Sequence, residues 1–431
     1  MHIRFLKIIF IISLSYLWGQ NMTAFTLCEG NFGSANASLW SFGNSFGDIS
    51  GPIHWDENSN PLGDVGQSLT IYNQTLFILM NNSHSIEVMN LSGDYPEYET
   101  TIDLPNASPR YMATVDAKGY ISSWNLNAVL VLDLNNMDII DTIPIDGIPE
   151  YIVSYEAHLY VSVPNKSDWT SNDQILKIDI NNHTIVDSFT VEPGPNTMVI
   201  NDSFLYVSSS SYDDVFNRYS GTSSINLTNG EIERFDAGQT NYYGSDIFNY
   251  QNNVYQIFDG GLVPLNNDLS PDTTAKIGDF NSLYSASAYG DFLYLGISDY
   301  TAPDTVLVLD NYGNIVADYI VSAIPGSFGF YEQDQTAIDN NELLPIFSSI
   351  KNYPNPFNPS TNIEITLNNM EPYKLYICDI SGRKIEEFKI RSAATKTQNI
   401  IWDASLFSSG IYFAVLEQDN KKTISKLSLI K

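Results

Sequence analysis

The phrase Leu159-Tyr160-Val161-Ser162 returns 46 residues later as Leu205-Tyr206-Val207-Ser208, and the fold is decided by whether that return is part of a longer series. It is. An aromatic residue in the middle of a β-branched run occurs at Phe77, Tyr120, Tyr160, Tyr206, Tyr255 and Tyr294, with spacings of 43, 40, 46, 49 and 39 residues. A second marker, an apolar run that ends in Asp or Asn before a polar turn, occurs at Asn90, Asp133, Asp179, Asn226, Asn266 and Asp310, with spacings of 43, 46, 47, 40 and 44. Two markers that drift together at this period match a four-stranded propeller blade, with the length variation placed in loops.

Six such units fill 66–324. A seventh can be assembled from both ends, with Gly326 to Tyr331 as its inner strand and Ala24 to Phe42 as its outer ones. Closing the ring in this way hides the free sheet edges that a linear array would expose. The segments between the runs are rich in Asn, Asp, Gly, Ser and Pro, and no stretch has helical periodicity. The expected fold class is therefore all-β: a seven-bladed β-propeller over 21–335, a linker over 336–351, and a small immunoglobulin-like β-sandwich over 352–431.

The last boundary rests on Asn352-Tyr353-Pro354-Asn355-Pro356-Phe357-Asn358-Pro359, whose prolines remove donors and fix φ, so the segment reads as an extended entry to a new domain. Beyond it, Ile363-Glu364-Ile365-Thr366-Leu367 and Lys374-Leu375-Tyr376-Ile377 alternate as strands of a sandwich do. At the other end, Arg4 and Lys7 precede an apolar run from Ile8 to Trp18 and then Gly19-Gln20, the layout of a secretory signal peptide over 1–20. That run is too short to span a bilayer, and no later one approaches spanning length. The 431-residue chain has 50 acidic and 20 basic residues, a net charge of −30 that argues against nucleic acid or an anionic membrane surface as partner. Cys28 and Cys378 fall in different expected domains, which argues against a disulfide between them.

The Leu-Tyr-Val-Ser phrases resemble the repeat of YncE-like (YVTN-type) seven-bladed propellers. Tyr353, Pro354, Asn355, Pro356 and Phe357 resemble the opening motif of the type A C-terminal sorting domain of the type IX secretion system of Gram-negative bacteria. Asp379, Gly382 and Arg383 resemble its central turn, Gly410 and Tyr412 its late strand, and Lys426 its final basic strand. This resemblance implies export through the periplasm to the outer surface or medium. It also implies recognition by the type IX translocon and processing by a sortase-like enzyme.

In a propeller, the connections from fourth strand to first and from second to third emerge on one face, where function is expected. The residue that starts each inner strand on that face reads Gln67, Arg110, Glu150, Asn196, Ser245 and Tyr284. Framework positions in a repeat should be alike, so this diversity points to a surface suited to an asymmetric ligand. The loops that carry Trp169, and Tyr212 and Phe216, add aromatic groups to the same face. The four histidines outside the leader stand singly, and no nucleophile elbow, phosphate loop or metal-ligand spacing occurs. Asp133 to Asp138 and Tyr212-Asp213-Asp214 have the oxygen ligands that Ca²⁺ would accept, but read better as turns. The expected function is non-catalytic binding of an unknown small-molecule or protein ligand, with no cofactor assigned. The alternatives are a lyase or glycan-active hydrolase, or a cobalamin- or haem-capturing accessory of a TonB-dependent importer, as the YncE-like resemblance implies.

Overall fold

The computed structural model describes residues 22–43, 49–53, 62–93, 96–240, 246–332, 349–366, 373–379, 383–388, 397–418 and 421–431. The expected signal peptide, Ser245, Gly382 and most of the expected linker lie outside them. The chain divides into two compact units, 1–334 and 335–431.

The first unit is a ring of seven antiparallel sheets. Blade 1 spans 66–103, blade 2 109–144, blade 3 152–190, blade 4 195–239, blade 5 247–264 and blade 6 283–321, each ordered as it runs in sequence. Blade 7 joins the two ends: Pro325–Glu332 is its inner strand, followed outward by Met22–Cys28, Ser38–Phe42 and Ile49–Ile53. The pairing of Met22 with Glu332 and Ala24 with Phe330 closes the wheel.

Both sequence markers have physical causes. The mid-strand aromatics lie in the second strand of each blade and pack between sheets, with Phe77, Tyr120, Tyr160 and Tyr294 all about fully buried. The Asp/Asn marker turns the chain from third to fourth strand, because its side-chain oxygen accepts the amide two residues on. Asn90 takes Ser92, Asp133 takes Asn135, Asp179 takes Asn181, Asn226 takes Thr228 and Asp310 takes Tyr312, at 2.7 to 2.9 Å. Asp213, in the other stretch with oxygen ligands, likewise accepts the amides of Val215 and Asn217.

Blade 5 departs from the pattern, with three strands instead of four among the described residues. Pro264 and Pro271 flank the turn where a fourth strand would begin, and a short 3-10 helix, Thr273–Ala275, capped by Asp272, takes that place. Ile277 returns to the sheet through a single bridge to Leu262. Gly261 permits it, since a Cβ there would lie 2.6 Å from the Gly278 carbonyl.

The second unit is a sandwich of a three-stranded sheet (Ser349–Tyr353, Ser360–Thr366, Thr397–Asp403) and a four-stranded one (Lys384–Phe388, Lys374–Asp379, Gly410–Gln418, Lys421–Leu429). Its first strand starts at Ser349, inside the stretch read from sequence as linker. Trp402, Ile363, Ile365, Leu375, Ile377, Leu416 and Leu427 fill the core.

Candidate functional site

In a regular strand, neighbouring side chains point to opposite faces; a bulge breaks that rule and re-aims them. Five of the propeller's inner strands have such a break near their first residues. Pairing shifts between Gly66 and Ser68, Pro109 and Met112, Pro195 and Met198, Leu283 and Ser285, and Pro325 and Ser327. Gln67, Arg110, Asn196, Tyr284 and Gly326 are the residues inside those shifts. Glu150 lies just ahead of its strand, with its amide bonded to the Ser162 carbonyl at 2.8 Å.

The result is a ring of side chains at the mouth of the channel, two residues deep. Arg110 gives Nε to Glu150 Oε2 at 2.9 Å and Nη2 to Oε1 at 2.7 Å, a two-point ion pair, while Nη1 donates to Gln67 Oε1. Gln67 in turn gives Nε2 to the Tyr111 hydroxyl at 3.4 Å. One side chain thus contacts both position 110 and position 111 of the neighbouring strand, so the bulge presents both to the channel. The guanidinium also stacks 3.7 Å from the centre of the Trp124 ring, whose Nε1 donates to Glu150 Oε2 at 2.6 Å. Burial works against the charge of Arg110, yet the Glu150 carboxylate keeps its pKa above the ordinary value.

On the far side, Glu29 fills the gap left by Gly326 and accepts the Tyr284 hydroxyl at 2.8 Å. Asp246, the residue of blade 5 equivalent to Tyr111 and Tyr151, accepts the Ala286 amide at 2.8 Å. Burial pushes the Glu29 carboxyl up to about 7 against the lowering effect of Tyr284, and the Asp246 carboxyl up to about 7 against that of the Ala286 amide. Glu29 lies within electrostatic reach of Arg110, Asp246 and Glu150, and Tyr111 of Glu150, Arg110, Asp246 and Tyr151. These groups therefore act on one another electrostatically. Tyr111 and Tyr151 pack with ring centres 4.5 Å apart, and burial lifts the Tyr151 phenol to about 12. Hydroxyls hold the wall together from blade to blade: Ser68 to the Arg110 carbonyl, Ser162 to that of Asn196 and Ser285 to that of Pro325.

Of the residues singled out from sequence, Gln67, Arg110 and Glu150 form one bonded cluster, and Tyr284 stands in the same ring. Asn196 keeps its place in the ring, its side chain making no hydrogen bond among the described residues. Trp169 joins the cluster from the rim, its ring edge-on to Trp124 at 5.5 Å, with 59% of its surface exposed. Tyr212 and Phe216 are 56% and 85% exposed at a hairpin tip, and no described contact ties them to the ring. Sequence reading passed over Glu29, Trp124, Tyr111, Tyr151 and Asp246. Shifting the inner-strand frame by one residue would have found the last three, had the bulge been foreseen.

In the second unit the motif residues hold the domain together. Phe357 sits 2% exposed in the core against Trp402, and its backbone pairs with Ser428 and Ile430. Asn355 gives its side-chain amide to the Lys426 carbonyl at 2.9 Å and accepts the Ser428 amide at 2.8 Å. Pro354 offers its carbonyl to Thr361. Asp379 binds Arg383 through both backbone amide and side chain, at 3.1 and 3.0 Å, closing the central turn. Tyr412 packs on Trp402 and donates to the Ser408 carbonyl, while Gly410 opens that strand opposite Leu429. Pro356 and Lys426 are exposed.

Residues 351–431 match the family model of the secretion system C-terminal sorting domain. The second unit is thus a type IX sorting tail, and the protein is secreted or carried on the outer cell surface. No curated protein matches the chain in sequence. The propeller is similar to solved structures at the level of fold. A Lactobacillus plantarum protein superposes with a TM-score of 0.54 at 10% identity, covering 72% of this chain and 100% of that one. A candidate 6-phosphogluconolactonase from Bacteroides uniformis does so with a TM-score of 0.52 at 13% identity, covering 72% and 100%. No helix among the described residues is long and apolar enough to cross a membrane.

Proposed function

We propose that this is an exported binding protein whose propeller takes a ligand at the bulge-lined mouth of its channel, the sorting tail delivering it to the outside. The observation that carries this reading is the inequality of one repeated position: Gln67, Arg110, Glu150, Asn196, Tyr284 and Gly326 stand at equivalent places, and apart from the carboxamides of Gln67 and Asn196 no two share a functional group. A purely structural position would repeat, as the buried aromatics and the Asp/Asn turns do. Trp169 at the rim offers an exposed aromatic surface beside the polar ring. Differential scanning fluorimetry of the exported chain against medium components, glycans, cobalamin and haem tests the reading. A hit that weakens with Arg110→Ala or Trp169→Ala supports it, and hits indifferent to both would defeat it.

The YncE-like affinity and a role in supplying a TonB-dependent importer extend this proposal, with cobalamin and haem as the first compounds to try. Recognition by the type IX translocon and trimming by a sortase-like enzyme belong to the tail. Removing 353–431 should leave a folded propeller in the periplasm, and its appearance in the medium would refute that role. Catalysis is the second reading, because Glu29 couples a carboxyl that titrates near neutrality to the Tyr284 hydroxyl. Turnover of a glycan or polyuronate abolished by Glu29→Gln would favour it.

A further inference from the structure

The channel mouth holds two carboxyl groups without a cation of their own. Arg110 is committed: Glu150 takes it at two points, Gln67 at a third, and Trp124 covers its face. Glu29 and Asp246 each have one oxygen bonded, to the Tyr284 hydroxyl and the Ala286 amide, and a second that takes no hydrogen bond among the described residues. Apart from the acids, the hydroxyl of half-buried Tyr151 also makes no hydrogen bond among the described residues, nor does the Asn196 amide. These four groups come from blades 7, 5, 3 and 4 and offer oxygen acceptors, with Asp246 in electrostatic reach of both Glu29 and Tyr151. Tyr111, Tyr151 and Tyr284 supply aromatic faces between them.

We propose that the channel mouth binds the ammonium group of an amine ligand, with Glu29 and Asp246 as counter-charges and the Tyr151 and Asn196 oxygens as further acceptors. The inference rests on the mouth being the ligand site and adds the class of ligand. An anionic ligand would meet both carboxyls and find the one arginine already neutralised. A neutral polyol would leave the acid pair without a role. An ammonium ion satisfies the acceptors with its donors and gains from the tyrosine faces. The net charge of −30 raises the local concentration of cations. Among the described residues, no group of three or more His, Cys, Asp and Glu is arranged to hold a metal ion.

Burial lifts both carboxyls to about 7, so the empty site keeps protons that the ammonium must displace. The groups facing them are Arg110, Glu150, Tyr111, Tyr151 and Tyr284; Arg110 stays charged and the three tyrosines stay neutral through that range, whereas the amine stays protonated to about pH 10. Affinity should therefore rise with pH, about tenfold for each carboxyl that must ionise between about pH 6 and about pH 8, and binding should release protons.

Isothermal titration of the full exported chain with cadaverine, 1,5-pentanediol and glutarate tests this, in buffers of different ionisation enthalpy. The expected result is binding of cadaverine alone, with proton release. Glu29→Gln and Asp246→Asn should each weaken it about tenfold or more and flatten its pH dependence. Pentanediol binding as tightly as cadaverine, glutarate binding more tightly, no cadaverine heat at all, or cadaverine binding untouched by both substitutions would each overturn the amine assignment. The broader reading of the mouth as a ligand site fails differently, through a screen whose hits all ignore Arg110→Ala and Trp169→Ala.

Discussion

Glu29 occupies the room that a side chain at position 326 would need: a Cβ on Gly326 would stand 2.2 Å from Glu29 Oε1. Four blades supply a mouth residue from their own inner strand, and in blades 3 and 5 Glu150 and Asp246 stand just ahead of theirs. In blade 7 that strand yields its place to a carboxylate from the next strand outward, which the Tyr284 hydroxyl then fixes. The obstructing atom is the end of a flexible side chain, so Gly326→Ala should fold, moving Glu29 off Tyr284 at a cost of about 1 to 2 kcal/mol. A double-mutant cycle checks it by thermal unfolding. In a Glu29→Ala background the alanine at 326 should cost almost nothing, and an undiminished cost would show that Gly326 serves something else.

The pair of Arg110 and Glu150 is buried on both sides, with side chains 12% and 7% exposed. Removing one partner leaves the other charge stranded, which in such pairs costs about 3 to 5 kcal/mol. Arg110→Met should fall in that range, the upper part eased by the Trp124 N–H that still serves Glu150. Arg110→Met combined with Glu150→Gln should recover most of the loss. Chemical denaturation of the three proteins measures the coupling, and additive losses would contradict it.

The pH dependence follows from Glu29 and Asp246. Both carboxyls titrate near 7 in the folded chain and well below that when unfolded. Between those values the folded state holds protons that the unfolded state has lost, so stability falls as pH rises from about 4 to about 7 and levels off above. The slope reaches at most about 1.4 kcal/mol per pH unit for each group. Asp246→Asn keeps the acceptor for the Ala286 amide and removes the titration. Its melting temperature should exceed that of the parent at about pH 8 and match it at about pH 4. A gap that widens toward acid pH would reverse the assignment.

How much of this was legible beforehand depends on which physics left a mark in the residues. The mid-strand aromatic recurs in six blades and the Asp/Asn turn in five, so Tyr120 or Asp133 and their counterparts gave the period, the blade count and the closing strand. The bulges left no such mark, because they depend on register between strands and not on any residue type. Glu29 and Trp124 were hidden for a related reason: they reach the mouth from the ends of second strands, outside the frame that gave Gln67 and Arg110. Blade 5 lost its fourth strand to Pro264 and Pro271, a break that proline chemistry could have announced.

In the sorting tail, residues of the motif also make folding contacts. Phe357 fills the core beside Trp402, and Asn355 clamps the last strand through the Lys426 carbonyl and Ser428 amide. Phe357→Ala should cost about 3 to 5 kcal/mol and Asn355→Ala about 1 to 3 kcal/mol. Arg383, largely exposed and paired with Asp379, should cost less than about 1 kcal/mol on replacement by alanine. Calorimetry on the full chain should resolve the tail as a transition separate from the propeller, lowered by the first two substitutions and nearly unmoved by the third. Export measured on the same variants separates folding from recognition. If Arg383→Ala stops secretion while the tail transition stays in place, the exposed turn is what the translocon reads. If only the destabilised variants fail, export depends on the folded sandwich itself.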